Sequence, residues 1–246
     1  MIKIQPIVRD IVLKELEAYF ALTDGYMNMS SYAHKIRTRV EALTKKQVTI
    51  ASLVVSLSRL RKEFKKIKPL IREVPITNIT TKLPITEIAY ENENKFLKEL
   101  ESLSKKVAVS QDDFFTITRG TKEIDIICSA SLEKKILQHF TVKPKWVNRN
   151  FAAIGISYGP EVFGMPNVFF SLLSVTARAR INIEELVSTP TELIFIVAEK
   201  DFAKTVTLFS ELHKETNTKN WKICYTYTNG NWKNYKQRLY SSSKVF

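Results

Sequence analysis

The chain has 246 residues, of which 44% are hydrophobic, enough to bury a core and to form two or three small domains. Two cysteines without a CxxC pair and three scattered histidines exclude a disulfide framework and a zinc site. The opening MIKIQPIVRDIVLKEL has a charge every few residues, so it predicts neither a signal peptide nor a membrane span, and the expected location is the cytoplasm.

The net charge of +13 is concentrated at the ends. Residues 1–72 hold 15 Lys/Arg against 6 Asp/Glu, and residues 214–246 hold 7 against 1, whereas 73–213 hold 16 against 18. Basic ends around a near-neutral middle fit a polyanion partner, most simply nucleic acid, or the solvated surface of a lysine-rich protein.

Residues 1–72 read as a three-helix, helix-turn-helix-like domain. Ile7, Ile11, Val12, Leu16, Tyr19 and Phe20 form the stripe of a first helix ending at Asp24-Gly25. A second opens at Ser30-Ser31, with Ala33, Ile36, Val40 and Leu43 inward and His34, Lys35, Arg37 and Arg39 outward. Thr49 is placed as the N-cap of a third, whose apolar stripe runs through Leu53, Leu57, Leu60 and Phe64. Ser52, Ser56, Arg59, Lys62 and Lys66 on its other face are the candidate nucleic-acid contacts: small residues that enter a groove, then cations that hold the backbone. The same residues also describe any solvated helix face. VPITNITTKL, within 73–83, is a linker or a wing.

A pattern then occurs twice. Each copy has a strand-like run (ITEIAYE, FAAIGIS), a helix (Asn94 to Lys106, Asn167 to Arg180), a hairpin, a second helix and a further run. Both read as βαββαβ, over 84–147 and 150–228, so the fold class is α+β: the helical domain followed by two ferredoxin-like repeats. The hairpin turns fall at Arg119-Gly120-Thr121-Lys122 and Thr189-Pro190-Thr191-Glu192, and WKICYTYT is expected as the last strand. Cys128 sits in an apolar strand as a small core residue. In 229–246, Trp232, Tyr235 and Tyr240 interleave with Lys233, Lys236 and Arg238, which suits stacking on bases or a frayed tail.

From Gly164-Met165-Pro166-Asn167-Val168 through Ile181-Asn182-Ile183 to the VST-x-TEL-x-FIV hairpin, the second copy resembles an ACT domain, the sensing module of aspartate kinases and amino-acid-responsive regulators. The first copy resembles the same family more weakly. The resemblance implies paired modules in a homodimer, with an amino acid or similar effector held by the loop between the first strand and first helix. Gly155, Gly159 and Gly164 make a loop whose backbone can approach a ligand, and the N–H groups of Asn167 and Val168 offer a helix end to a carboxylate. Asn182 is placed to meet an α-amino group. The expected ligand residues are Gly159, Gly164, Met165, Pro166, Asn167, Val168, Asn182 and Ile183, and a bulky residue at 164 is expected to abolish the response. Pro166 is followed by Asn167 where the family often has Gly, and Glu91-Asn92-Glu93-Asn94 replaces the loop in the first copy, so one ligand site per chain is expected.

No P-loop, nucleophile elbow or metal spacing is present, so neither an enzyme nor a cofactor is expected. These features suit a DNA-binding transcription regulator controlled by a small effector. They also suit a regulatory protein whose basic domain docks on a partner enzyme or on RNA.

Overall fold

The computed structural model describes residues 3–67 and 69–227, so the aromatic, basic tail at 229–246 lies outside the described residues. The chain divides into two compact units, Met1–Leu70 and Ile71–Phe246.

The first unit contains helices α1 (Ile4–Lys14), α2 (Leu16–Asp24), α3 (Met29–Thr44) and α4 (Ile50–Phe64), four where three were expected. The single first helix expected over Ile7 to Phe20 is broken at Glu15, whose backbone is extended (φ −110, ψ 97). The Glu15 carboxylate accepts hydrogen bonds from the Tyr32 hydroxyl at 3.0 Å, Lys35 Nζ at 3.2 Å and Arg39 Nη1 at 3.2 Å. Burial raises the Glu15 pKa, but the hydrogen bonds from Lys35 and Tyr32 outweigh it and leave the group below its ordinary value. With the break, Val8, Ile11 and Val12 of α1 and Ala18, Tyr19 and Leu22 of α2 each bury their own face. Of these, Val8, Ile11, Val12, Tyr19 and Leu22 meet Ile36 and Val40 of α3 and Leu53, Leu57, Leu60 and Phe64 of α4. Asn28 caps α3 by accepting from the Ser31 N–H, and Thr49 caps α4 by accepting from the Ser52 N–H.

The second unit is built on one six-stranded antiparallel sheet. Its strands are β1 (Ile76–Glu91), β2 (Phe115–Arg119), β3 (Glu123–Ser129), β4 (Trp146–Tyr158), β5 (Glu185–Thr189) and β6 (Glu192–Ala198), in the order β2-β3-β1-β4-β6-β5. The helices are α5 (Asn94–Leu100), α6 (Leu103–Lys106), α7 (Ala130–His139), α8 (Val168–Arg178) and α9 (Phe202–Tyr227).

The long central strands serve twice. The second part of β1, Ile85 to Glu91, pairs with β3, while its first part, Ile76 to Lys82, pairs with the end of β4. In return, the start of β4 from Trp146 pairs with β1, and Phe151 to Ser157 pairs with β6. The segment at 73–83 is therefore mostly sheet, neither linker nor wing. It fills the position expected for WKICYTYT, and residues 221–227 instead continue α9. The exchange explains the correction: once Ile76 to Lys82 lies against β4, no edge remains there for a strand from the carboxyl end. Ile76 is buried beneath α9, and His213 Nδ1 lies 2.8 Å from its carbonyl oxygen.

The helix expected at Asn94 to Lys106 is also two pieces. The Glu99 carbonyl is engaged by Ser102 Oγ at 2.8 Å and by a His139 ring nitrogen at 2.9 Å, which competes with the helical ladder.

One sheet face carries the helices. Ile154, Ile156 and Phe195 pack with Leu172 of α8 and Phe209 of α9, and Ile88, Ile124 and Ile126 pack with Phe96 of α5 and Leu132 and Ile136 of α7. Cys128 is fully buried in this second group, and burial pushes its thiol up to about 12, so it is an inert core residue. The other face buries Ile85, Ile127, Ala153 and Ile196 against strand residues and Phe114. The sheet curls enough for its two edges to meet, with Thr118 of β2 donating to Glu185 of β5 at 3.1 Å.

Inside this curl, burial raises the pKa of Asp125, helped by Glu87 and Glu123 and opposed by Lys145. Burial likewise raises that of Glu185, with Asp125 and Glu87 adding to the shift and the Thr118 hydrogen bond opposing it. A carboxyl raised on folding holds its proton where the unfolded chain has lost it, so its contribution declines as pH rises above the ordinary values of 3.8 and 4.5. Chemical denaturation of wild type and of Asp125→Asn/Glu185→Gln should give a stability difference that shifts in favour of wild type as pH falls from 7 toward 5. A pH-independent difference would show that these carboxyls are not desolvated by the curl.

Candidate functional site

The candidate ligand site is a cleft of about 710 Å³ where β4 ends. Tyr158 closes the strand, a single 3₁₀ turn (Pro160–Val162) starts the loop, and α8 begins at Val168. Ser188, Thr189 and Pro190, at the tip of the β5–β6 hairpin, form the opposite wall. Antiparallel topology causes this juxtaposition, because α8 leads away from the loop and β5 returns to it.

Among the expected ligand residues, Gly164, Met165, Asn167 and Val168 border the cleft, whereas Gly159, Pro166, Asn182 and Ile183 do not. Asn182 and Ile183 follow the far end of α8, which at 11 residues spans roughly 16 Å. There the Asn182 amide donates to Glu184 at 2.7 Å, and Ile183 packs on the core. Asn182 precedes β5, whose far end at Thr189 is the one that reaches the cleft. Sequence reasoning also missed Tyr158, Val162, Phe163, Phe169, Phe170 and the hairpin tip. The turn Thr189-Pro190-Thr191-Glu192 was a usable signal, since a βαβ unit brings the end of its second strand back beside the start of its helix.

Asn167 is left-handed (φ 70) and makes no side-chain cap to α8. The first-turn N–H groups of the helix consequently have no side-chain cap from Asn167. Three glycines were expected in the loop, but Gly155 lies within β4, opposite Thr80 and Ile194. Its missing side chain leaves room for Thr80 to donate to Glu192 at 3.2 Å above the strand. Gly164 has φ 75, and a Cβ there would meet nothing within 4 Å. Its requirement is conformational, and a side chain at 164 need not fill the cleft.

The candidate nucleic-acid face lies on α4. Arg59, Lys62 and Lys66 are exposed, with Lys66 just past the helix end. Ser56 is buried and so is removed from this face, and Ser52 is half-buried with its hydroxyl donating to the Thr49 carbonyl at 2.8 Å. The stripe that reaches solvent is Ala51, Val55, Arg59 and Lys62, with Val55 49% exposed. Spacing by four along the helix selects Val55, not Ser56.

Among the described residues no group of His, Cys, Asp and Glu is arranged to hold a metal, and no helix is long and apolar enough to cross a membrane.

No protein-family model matches the chain. No curated protein matches it either. Among solved structures it is similar to aspartate kinase from Clostridium acetobutylicum (18% identity, 60% of this chain and 36% of that one, TM-score 0.48). It is also similar to the ligand-free regulatory subunit of aspartate kinase from Thermus thermophilus (10% identity, 57% and 97%, TM-score 0.45). A third similar structure is aspartate kinase from Synechocystis (12% identity, 58% and 27%, TM-score 0.46). The chain thus spans about a third of the length of the first enzyme and nearly all of the isolated regulatory subunit.

The two glycines lead to different expected costs. Gly164→Ala should destabilise by about 1 kcal/mol, from its left-handed backbone alone. Gly155→Ala should cost more, because Thr80 and Glu192 must both move. Thermal unfolding of the two variants distinguishes them, and equal losses would contradict the close approach at Gly155.

Proposed function

We propose that this protein is a regulator controlled by a small effector: the cleft between the β4–α8 loop and the β5–β6 tip binds an amino acid, and the helical unit binds duplex DNA as part of a homodimer. The observation that carries the reading is the cleft itself, which joins an uncapped helix start to the hairpin residues Ser188, Thr189 and Pro190. A ligand carboxylate at the first turn of α8 and an ammonium against the tip carbonyls would use both. Arg59, Lys62 and Lys66 supply phosphate contacts, and Ala51 and Val55 supply apolar groups of the kind that touch thymine methyls.

A coupling path begins on α8. Ser171 Oγ accepts from the Arg72 N–H at 2.8 Å and donates to the Asn167 carbonyl at 2.8 Å. Ligand-driven movement of the loop is therefore felt at Arg72, two residues past the end of the helical unit. Loading the cleft would change the spacing of two α4 helices in a dimer, and one spacing fits two half-sites.

A second reading has the helical unit dock on a protein, and the exposure of Leu13, Leu16, Leu43 and Val55 favours it. Fluorescence anisotropy of genomic duplex fragments at two salt concentrations separates the two. For the DNA reading, binding is salt-sensitive, and Arg59→Ala/Lys62→Ala lowers the slope of log K against log salt by about 2. An absence of binding at low salt would retire the DNA reading and leave the docking one.

Ser171→Ala should keep effector binding by calorimetry while losing the effector's influence on DNA binding. A variant that still responds in full would place the coupling elsewhere.

A further inference from the structure

The two halves of the sheet unit differ in what lies beside the hairpin tip. In the first half the connection from β1 to α5 is short, and Asn92 ties it to the β2–β3 tip. Its backbone N–H donates to the Lys122 carbonyl at 2.9 Å, and its side-chain amide donates to the Gly120 carbonyl at 3.0 Å. Phe96 of α5 is fully buried, with ring centroids 4.2 Å from Tyr90 near the end of β1 and 4.5 Å from Phe140. Here the chain itself supplies an N–H donor to the hairpin-tip carbonyls and an aromatic ring against the strand's tyrosine.

In the second half the corresponding connection runs from 159 to 167; the Tyr158 N–H donates to the Thr191 carbonyl at 2.9 Å, as the Asn92 N–H does to Lys122, and the cleft lies beside that bond, between the start of α8 and Ser188 to Pro190. Among the described residues no ring stacks on Tyr158. Phe163 is 72% exposed, Met165 43% and Phe169 45%, a concentration of apolar side chains facing water. Among the described residues no charged side chain lines the cleft. A charged ligand side chain seated there would lose hydration without gaining a counter-ion, whereas an apolar one would cover surface that water now touches.

We propose that the cleft selects amino acids with an uncharged, apolar or aromatic side chain of the leucine, methionine or phenylalanine class, the ammonium taking the donor role of the Asn92 side-chain amide and the side chain covering Phe163, Met165 and Phe169. This specificity rests on the amino-acid reading of the cleft given above.

The test is calorimetric titration of the full chain with phenylalanine, methionine, leucine, lysine, arginine, aspartate and glutamate, repeated on Ser188→Trp, which narrows the cleft from an exposed strand position, and on Phe169→Asp. Circular dichroism checks the fold of each variant. The expected result is binding of at least one apolar amino acid, with every charged one about tenfold or more weaker, a difference of about 1.4 kcal/mol. Both variants should lose that binding. If a charged amino acid binds as tightly and Ser188→Trp abolishes it, the side-chain class is wrong while the cleft remains an amino-acid site. If binding survives Ser188→Trp, or no amino acid binds, the class and the amino-acid reading both fall. A fall in oligomer mass in Phe163→Ser, with no amino acid bound to wild type, would make the apolar rim a contact between copies of this chain and overturn the proposal.

Discussion

The antiparallel pairing of β1 with β4 is the constraint on which the second unit depends. Each strand is long enough to act in both halves, so the first half is closed by the beginning of β4 and the second by the beginning of β1. The first half completes its four strands from consecutive sequence, whereas the second must take its fourth from the start of β1. Ile76 and Ile154, from opposite partners in the exchange, enter one buried cluster with α8 and α9. Loss of the pairing would expose that cluster and leave two sheet edges unpaired, so the halves are expected to unfold together.

That exchange also frees the sheet's second face from needing a helical layer. Two covered halves joined side by side make a sheet of six strands, wide enough to curl, and Thr118 meets Glu185 across the edges. The curl keeps Ile85, Ile127, Ala153 and Ile196 dry, but it also brings Asp125 and Glu185 into a poorly solvated place. Elsewhere in the unit, carboxylates are stabilised by specific donors. Glu133 accepts from both Arg149 Nε and Nη2 and from Thr86, and these bonds, Arg149 foremost, hold its pKa below the ordinary value. Asp125 and Glu185 are therefore unusual in being raised, and their position at the closing of the sheet is the reason.

Much of this was legible in the residues. Both hairpins lie where the turns Arg119-Gly120-Thr121-Lys122 and Thr189-Pro190-Thr191-Glu192 put them, Thr49 caps its helix, and Cys128 is a core residue. These are local statements, decided by turn chemistry, capping or a run of apolar residues. The errors share a different cause. WKICYTYT alternates like a strand, but whether it joins the sheet depends on whether a place beside β4 is vacant, and VPITNITTKL had already taken it. Glu15 looks like one more polar position on a helix, and only Tyr32, Lys35 and Arg39, from 17 to 24 residues away, turn it into a break. Asn182 carries suitable chemistry at the far end of a helix. In each case a distant segment decided the outcome, and periodicity contains no term for it.

The same distinction separates the two halves functionally. They share an element order but differ in one connection: the short turn at Glu91 to Asn94 can be tied down by a single asparagine, while the segment from 159 to 167 holds its end of the helix away from the hairpin tip. In the first half Tyr90, Phe96 and Phe140 pack on one another at this place. The second half leaves Phe163, Met165 and Phe169 in water, a cost that persists in the free protein and is recovered only when something covers them. Because the two halves share β1 and β4, ordering the open half acts on strands that also belong to the closed one. The open cleft and the packed first half are thus mounted on a common pair of strands, so a change in one reaches the strands of the other.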